Sequence, residues 1–319
     1  MTSSSLLSVR VQAMRFEAQG IVSVEMMSPE GAGAQLPAFE AGSHIDLHLA
    51  NGVVRSYSLL NSPAERHRYV VGVLNDRNSR GGSRYVHEQL RVGATLTISA
   101  PRNNFPVDER AAHSVLIAGG IGITPISCMF NDLRGKGKSA ELLYCARSRA
   151  EAAFADALLQ QPGVSSHFDA EKGAPPDLRA FLASKPKDAH FYCCGPTPML
   201  NAFEAICAEL DLPNVHIERF AAAENVEAVQ GDEYVAELAR SKKSVTVPAG
   251  KSLLDALLDA GIDVDHSCRE GVCGACETRV LEGEPEHRDG VLSRSEKASN
   301  KMMMVCVSGC KGRRLVLDL

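Results

Sequence analysis

Five of the ten cysteines, Cys268, Cys273, Cys276, Cys306 and Cys310, fall within the last 52 residues of the 319-residue chain. Three of them form Cys268-x4-Cys273-x2-Cys276 inside HSCREGVCGACETRV, and Cys306 follows after 29 intervening residues. A segment so patterned has to curl around whatever takes its thiolates. The spacing is the plant-type one for a 2Fe-2S cluster, with three thiolates from one loop and the fourth from a distant segment. Gly271 and Gly274 let the backbone bend around an inorganic core and turn N–H groups toward the sulfurs. Zinc is the competing reading, because Cys273-x2-Cys276 with Cys306-x3-Cys310 also supplies four thiolates in two pairs. That reading leaves Cys268 unused, as the cluster reading leaves Cys310 unused, and inert core cysteines are the third possibility. The three-cysteine loop with its interleaved glycines favours the cluster.

The N-terminal MTSSSLLSVR has no apolar core of signal-peptide length, so a cytoplasmic protein is expected, where disulfides are rare and clustered cysteine means metal or redox chemistry. A single core seldom serves more than about 250 residues, which predicts two or three domains. With 45% hydrophobic and 23% charged residues the chain is globular and not disordered. No apolar run approaches the ~18 residues of a membrane helix, so no membrane partner is expected. A net charge of -5 leaves no global basic field for nucleic acid.

Residues 1 to about 110 read as short strands separated by turns. Ile45–Leu49 and Ala94–Ile98 alternate, Tyr69–Val73 is β-rich, and turn signals stand at Asn51-Gly52, Asn61-Ser62-Pro63 and Arg80-Gly81-Gly82. Such a pattern predicts a barrel or sandwich. From Ser114 buried strands alternate with helices: strands at Ser114–Ala118, Leu142–Cys145, His190–Cys193 and Val215–Ile217, helices at Ala150–Leu159 and Thr197–Leu210. That is the pattern of a doubly wound parallel sheet, with its ligand site at the carboxyl ends of the strands. The Ala-rich, acidic stretch Ala221–Gly231 reads as a linker. Strands at Tyr234–Arg240 and Ser244–Val247, a helix capped by Ser252 and a last strand at Arg314–Leu319 predict a small α+β domain. The expected domains are 1–110, 111–224 and 232–319.

After its strand comes Gly119-Gly120-Ile121-Gly122-Ile123-Thr124-Pro125, where glycines admit a pyrophosphate close to backbone N–H groups and a helix begins. It is not GxGxxG. A second strand-to-helix turn, Cys193-Cys194-Gly195-Pro196-Thr197-Pro198, follows about 70 residues on. Arg55-Ser56-Tyr57-Ser58 resembles the Arg-x-Tyr-Ser signature of the ferredoxin–NADP reductase superfamily, and the two turns are similar to those that hold the dinucleotide there. The cysteine loop and the GEPEHRD segment look like the C-terminal ferredoxin domain of the phthalate dioxygenase reductase family. The resemblance runs over nearly the whole chain.

It implies an antiparallel β-barrel for flavin, an α/β nucleotide domain and a β-grasp ferredoxin domain. It implies that Arg55, Ser56, Tyr57 and Ser58 bind FMN together with Gly81, Gly82 and Ser83, with no dedicated adenine site for FAD. Gly119, Gly120, Gly122, Thr124, Pro125, Cys194, Gly195 and Pro196 would hold the nicotinamide dinucleotide, with Thr124 and Cys194 flanking its ring. Ser58, Cys194, Glu218 and Phe220 would stand at the hydride-transfer point, Phe220 on the flavin face. Cys268, Cys273, Cys276 and Cys306 would ligate the cluster. Arg147-Ser148-Arg149 leaves the coenzyme between NADPH, whose phosphate two arginines could grip, and NADH, the choice of close relatives. NADH is favoured.

His287-Arg288-Asp289 begins like a kinase catalytic loop, but Gly290-Val291 follows, and the match reads as coincidence. Rieske ligation would need Cys-x-His pairs, which are absent. Met302-Met303-Met304 reads as core filler beside the cluster. A hydride carries two electrons and a 2Fe-2S centre accepts one, so a flavin must stand between them. Plant-type clusters lie near -400 mV and Rieske centres from about -150 mV upward, so the onward electron gains roughly 6 kcal/mol. A monomeric reductase serving a separate Rieske oxygenase or demethylase is expected. A cytochrome P450 or small ferredoxin is the alternative acceptor, and a zinc-bearing binding module the alternative outside redox chemistry.

Overall fold

Strands dominate the first hundred residues of a computed structural model that describes residues 6–31, 33–77, 79–220 and 231–319. They are β1 (Leu6–Ala18), β2 (Ile21–Met27), β3 (Ser43–His48), β4 (Val54–Ser58), β5 (Arg68–Leu74), β6 (Thr95–Ser99) and β7 (Arg102–Asn103). The order is β4-β3-β6-β1-β2-β5, with β7 on β3. A Leu59↔Val71 bridge joins the two ends, bringing the sheet round into a barrel. The long β1 had no clean signature because two bulges break its alternation and Phe16 points into solvent. The Gly81 turn leads into α1 (Gly82–Glu88).

The parallel sheet comprises β8 (Ser114–Gly119), β9 (Ala140–Ala146), β10 (Val164–Phe168), β11 (His190–Cys194) and β12 (Asn214–Glu218), in the order β10-β9-β8-β11-β12. The chain winds outward from β8 in one direction and returns to continue in the other, so the topological switch point lies between β8 and β11. One face packs continuously with the barrel interior through Leu116, Phe130 and Tyr144. The other is covered by Leu182, Leu200 and Phe203, carried on α5 (Leu178–Ala183) and α6 (Thr197–Glu209) after α2 (Ile123–Gly135), α3 (Ala155–Leu158) and α4 (Asp169–Lys172). The expected helix over 150–159 is broken. Phe154 sits at φ 61 and the Tyr144 hydroxyl donates to Ala153 O at 3.1 Å, taking a carbonyl that a continuous helix would use.

The chain divides into two compact units, Thr2–Glu218 and Arg219–Leu319. The second contains β13 (Tyr234–Leu238), β14 (Lys243–Val247), α7 (Leu253–Asp259), β15 (Glu277–Glu282), β16 (Pro285–Glu286), α8 (Arg294–Ser299), β17 (Met302–Met304), β18 (Gly309–Cys310) and β19 (Arg314–Leu317). Its mixed sheet runs β14-β13-β19-β15-β17, with β13 parallel to β19. Ser252 Oγ caps α7 by accepting from Asp255 N at 3.0 Å, and Leu253, Leu254 and Leu257 pack into the sheet core. Met303 and Met304 are fully buried there. The inner strands β13 and β19 end at Leu238 and Leu317, two residues short of the expected ends. Of the expected linker, residues 221–230 lie outside the described residues. Among the described residues no helix is long and apolar enough to cross a membrane.

Candidate functional site

Within the first unit, three residues that lie far apart in sequence converge at the carboxyl ends of β4, β11 and the edge strand β12. The Ser58 hydroxyl donates to Glu218 Oε2 at 3.5 Å, and the Cys194 thiol lies 4.0 Å from the same oxygen. Ser58 ends β4 of the barrel, Cys194 ends β11 and Glu218 ends β12, so only the fold unites them. Burial pushes the Glu218 carboxyl up to about 8, against the Ser58 hydrogen bond that lowers it. Burial, with the Glu218 charge beside it, raises the Cys194 thiol well above its ordinary value. The cluster is a neutral thiol, a hydroxyl and a carboxyl that holds a proton near neutral pH. Such a set can hydrogen-bond a reacting group and hold or release one proton at Glu218.

The two glycine turns pack on one another. A Cβ on Gly119 would lie 2.6 Å from Met199 Sδ and 2.7 Å from Pro196 Cδ; on Gly195, 3.1 Å from Gly119 Cα. A Cβ on Gly122 would overlap the Cys194 carbonyl. These three glycines therefore permit close backbone approach between the two turns, a packing role beside the pyrophosphate approach expected of Gly119 and Gly122. Gly120 differs: at φ +53 it faces open space. Thr124 is buried and its hydroxyl donates to Ile121 O at 3.0 Å. Pro125 follows in the first turn of α2, where its missing N–H leaves no bond unmade. Pro196 caps α6 in an extended conformation.

Arg55 lies across Gly82, where a Cβ would be 2.6 Å from Arg55 Cγ. Asn51 Nδ2 donates to Gly81 O at 3.2 Å, tying that turn to the barrel. Ser83 Oγ accepts from Asp76 N at 3.2 Å and donates to Ser79 Oγ at 2.9 Å, so the hydroxyl braces the turn. A guanidinium beside a glycine turn at a helix start is chemistry that takes phosphate. Burial pushes the Tyr57 hydroxyl up to about 12. Ser56 departs from expectation: its hydroxyl donates to Asp46 Oδ1 at 2.6 Å, and Asp46 pairs with Arg102 at 2.5 Å. That hydroxyl stabilises an ion pair in the barrel wall. Phe220 stands near the start of the second unit, 41% exposed.

In the second unit the cysteine loop bends at three left-handed positions, Arg269 (φ 57), Gly271 (φ 69) and Gly274 (φ 72). Gly271 has no room for a side chain, since a Cβ would lie 2.5 Å from Val307 Cγ2 and 3.2 Å from Asp289 Cα. Cys268, Cys273, Cys276 and Cys306 are all buried and form two pairs, Cys268 with Cys273 and Cys276 with Cys306. The Cys273 thiol, with the amides of Val272, Glu270 and Cys273, draws the Cys268 thiol below its ordinary value against the opposing effect of burial. Cys306 does the same in direction for Cys276. Two irons taking two thiolates each fit this pairing. The Ser267 hydroxyl is buried beside Cys268 without a hydrogen-bond partner, a donor that a sulfide-bearing core can use.

Cys310 is engaged elsewhere. Its Sγ accepts from Gly312 N at 3.3 Å and lies 3.6 Å from Arg314 O, on a strand paired with Pro285. Among the described residues no group of three or more His, Cys, Asp or Glu converges to hold a single metal ion. The donor set fits a two-iron cluster and not the zinc alternative. Sequence reasoning missed Ser267 and set aside His287 and Asp289, both of which lie buried behind the loop. Only the lone polar types flanking the motif hinted at them.

The 2Fe-2S iron-sulfur cluster binding domain family matches residues 236–311. Over 315 residues the chain is 49% identical to the phenoxybenzoate dioxygenase subunit beta of Ectopseudomonas oleovorans, covering 98% of this chain and 97% of that one. The crystal structure of phthalate dioxygenase reductase, described as a modular structure for electron transfer from pyridine nucleotides to a 2Fe-2S centre, superposes with a TM-score of 0.72 at 37% identity, covering 99% and 98%. An intact type IV self-sufficient cytochrome P450 monooxygenase superposes with a TM-score of 0.88 at 38% identity. The chain covers 98% of its own length there but 41% of that longer protein.

Proposed function

The chain belongs to the phthalate dioxygenase reductase family of NAD(P)H-dependent flavin and 2Fe-2S oxidoreductases, and from that premise we propose that it oxidises NADH and serves a separate Rieske-type oxygenase or demethylase. Arg55, Tyr57 and Ser58 would hold FMN, which would supply conversion of a two-electron hydride into single electrons, and Cys268, Cys273, Cys276 and Cys306 would hold a one-electron 2Fe-2S acceptor. The observation that carries the reading is the meeting of Ser58, Cys194 and Glu218 at the carboxyl ends of β11 and β12, next to the switch point, 3.5 and 4.0 Å apart, on a chain that also folds a four-thiolate loop. The relative that functions as a dioxygenase subunit supports the oxygenase as acceptor.

In this reading Arg55, with Gly81, Gly82 and Ser83, holds the FMN phosphate, and Tyr57 packs on its ring system or ribityl chain. Ser56 contributes backbone only. Ser58 hydrogen-bonds the flavin N5 edge, and Glu218 keeps a proton available to that hydroxyl. Cys194, Thr124 and Pro125 orient the nicotinamide, Gly119, Gly122, Gly195 and Pro196 shape its turn, and Gly120 leaves open backbone for the dinucleotide. Phe220 covers the flavin face. The preference for NADH is supported at the end of β9. There Arg149 stacks on Phe168 at 5.8 Å and pairs with Asp156 at 3.5 Å, so one of the two arginines is already committed. The protein works in the cytoplasm as a monomer in domains 1–110, 111–224 and 232–319, and none of its ten cysteines forms a disulfide.

The test is direct. Purified protein should be red-brown, release FMN on denaturation, bleach on adding NADH in preference to NADPH, and reduce a Rieske oxygenase catalytically. Colourless protein with stoichiometric zinc would sink the redox reading. A second acceptor is favoured by one observation, the superposition on a self-sufficient P450. Turnover with a P450 and none with any Rieske oxygenase would put that reading first.

A further inference from the structure

Behind the cysteine loop, inside the second unit, lies the HRD segment that sequence reasoning set aside. Gly290 N donates to Gly271 O at 2.9 Å, and a Cβ on Gly271 would meet Asp289 Cα at 3.2 Å, so loop and segment touch backbone to backbone. The Asp289 side chain is 0% exposed. Its Oδ2 accepts from Val291 N at 3.1 Å and Leu292 N at 2.8 Å, and its Oδ1 takes the Ser308 hydroxyl at 3.5 Å. Ser308 stands two residues beyond Cys306, so the carboxylate ties its own segment to the chain that carries Cys306, while the backbone of Gly290 holds the cysteine loop.

His287 completes the arrangement with its side chain 9% exposed. Nε2 lies 3.3 Å from Asn300 Oδ1, an acceptor, which places the ring hydrogen on Nε2. In the neutral ring Nδ1 is then a buried lone pair; it has no hydrogen-bond partner and lies 3.8 Å from Asp289 Oδ1. Two acceptors face each other, and a proton between them would satisfy both. The other charges around the pair are few. Lys297 of α8 donates to Asp289 O at 2.6 Å and stands 3.8 Å from Oδ2. Arg288 is engaged with Glu286. Glu277 of β15 feels burial first, then the charges of Glu296 and Asp289, all of which raise its carboxyl.

We propose that His287 and Asp289 form a redox-linked proton site: His287 takes a proton at Nδ1 when the four-cysteine centre gains an electron, and releases it when the electron leaves. The inference rests on Cys268, Cys273, Cys276 and Cys306 holding the 2Fe-2S cluster. The step balances as one electron from NAD(P)H by way of the flavin and one proton from water. An N–H bond forms at Nδ1, and its hydrogen is shared with Asp289 Oδ1. Its driving force is electrostatic. An electron added beside a buried carboxylate raises the local negative charge, and an imidazolium behind that carboxylate offsets it. Electron affinity therefore falls as pH rises.

The test is an EPR-monitored redox titration of the cluster in the holoprotein, from about pH 5.5 to about 8.5. The midpoint should fall by about tenfold in electron affinity, about 59 mV for one electron, in the wild type and in Glu277→Gln. It should stay flat in His287→Gln and in Asp289→Asn, which keeps the side-chain shape. A flat wild-type profile, or a slope that survives in His287→Gln, overturns the proposal. So does a slope lost in Glu277→Gln. If neither variant assembles a cluster, reduced-minus-oxidised infrared difference spectra of wild-type protein with ring-labelled histidine decide. An imidazolium band is expected in the reduced state, and neutral imidazole in both states overturns the site. Absence of any EPR signal on reduction would remove the cluster assignment itself, which a flat midpoint would not.

Discussion

Glu218 carries a carboxyl held at about 8 by burial, far above its ordinary 4.5. Between those values the folded form keeps a proton that the unfolded chain has lost, so stability falls as pH rises, by about 1.4 kcal/mol per unit at most. Solvent reaching part of the residue reduces the total to the order of 3 kcal/mol. Glu218→Gln should abolish this dependence. Denaturation of the apoprotein at about pH 5 and about pH 8 is expected to give nearly equal stability in the variant and a clear loss in the wild type at the higher pH. Cys273→Ser should remove the visible and EPR signatures of the cluster while NADH still bleaches the flavin, and loss of both would argue against separable units. Arg55→Ala should lower flavin retention on gel filtration; unchanged retention would take Arg55 out of the phosphate site. The cysteines proposed as ligands were legible because three of four lie within nine residues of one another. The Ser56 hydroxyl was not, since its partner Asp46 sits across a strand pair that no local pattern reveals.

Elements carry a different lesson, clearest at the two glycine turns. The spacing of Gly119, Gly120 and Gly122 marks a strand-to-helix junction in any reading, but which glycine faces a ligand and which a neighbouring turn depends on what packs there. Gly122→Ala would drive a methyl into the Cys194 carbonyl, a backbone atom that cannot swing aside. It should destabilise the first unit by about 3 kcal/mol or more and slow flavin reduction. Gly120→Ala meets open space and bears only the left-handed backbone penalty, about 1 kcal/mol. Urea denaturation of both variants separates the roles, and equal losses would contradict the packing argument. The broken helix at 150–159 has the same origin. Local propensity favoured a continuous helix through the alanines, and one buried hydroxyl on Tyr144 claimed the Ala153 carbonyl instead.

At the scale of the whole molecule, the chain is two units with separate hydrophobic cores, one shared by barrel and parallel sheet and one under the mixed sheet. Residues 1–220 expressed alone should therefore fold, keep flavin and be bleached by NADH, without passing electrons to an oxygenase. Residues 231–319 alone should assemble the cluster. Measuring flavin content, NADH bleaching and EPR on the two fragments checks this, and an insoluble or flavin-free first fragment would show that its core needs the second. By itself the sequence determined the fold classes, the plant-type cysteine pattern and the order of the folded regions. Those depend on periodicity and on spacing within a few residues, which a linear pattern records. The tertiary structure alone decided that Ser58, Cys194 and Glu218 share one oxygen, that three glycines pack turn on turn, and that His287 faces Asp289 behind the cysteine loop. Each of these is a contact between strands or turns far apart in sequence, where burial and desolvation set the chemistry and no local signal reports the neighbour.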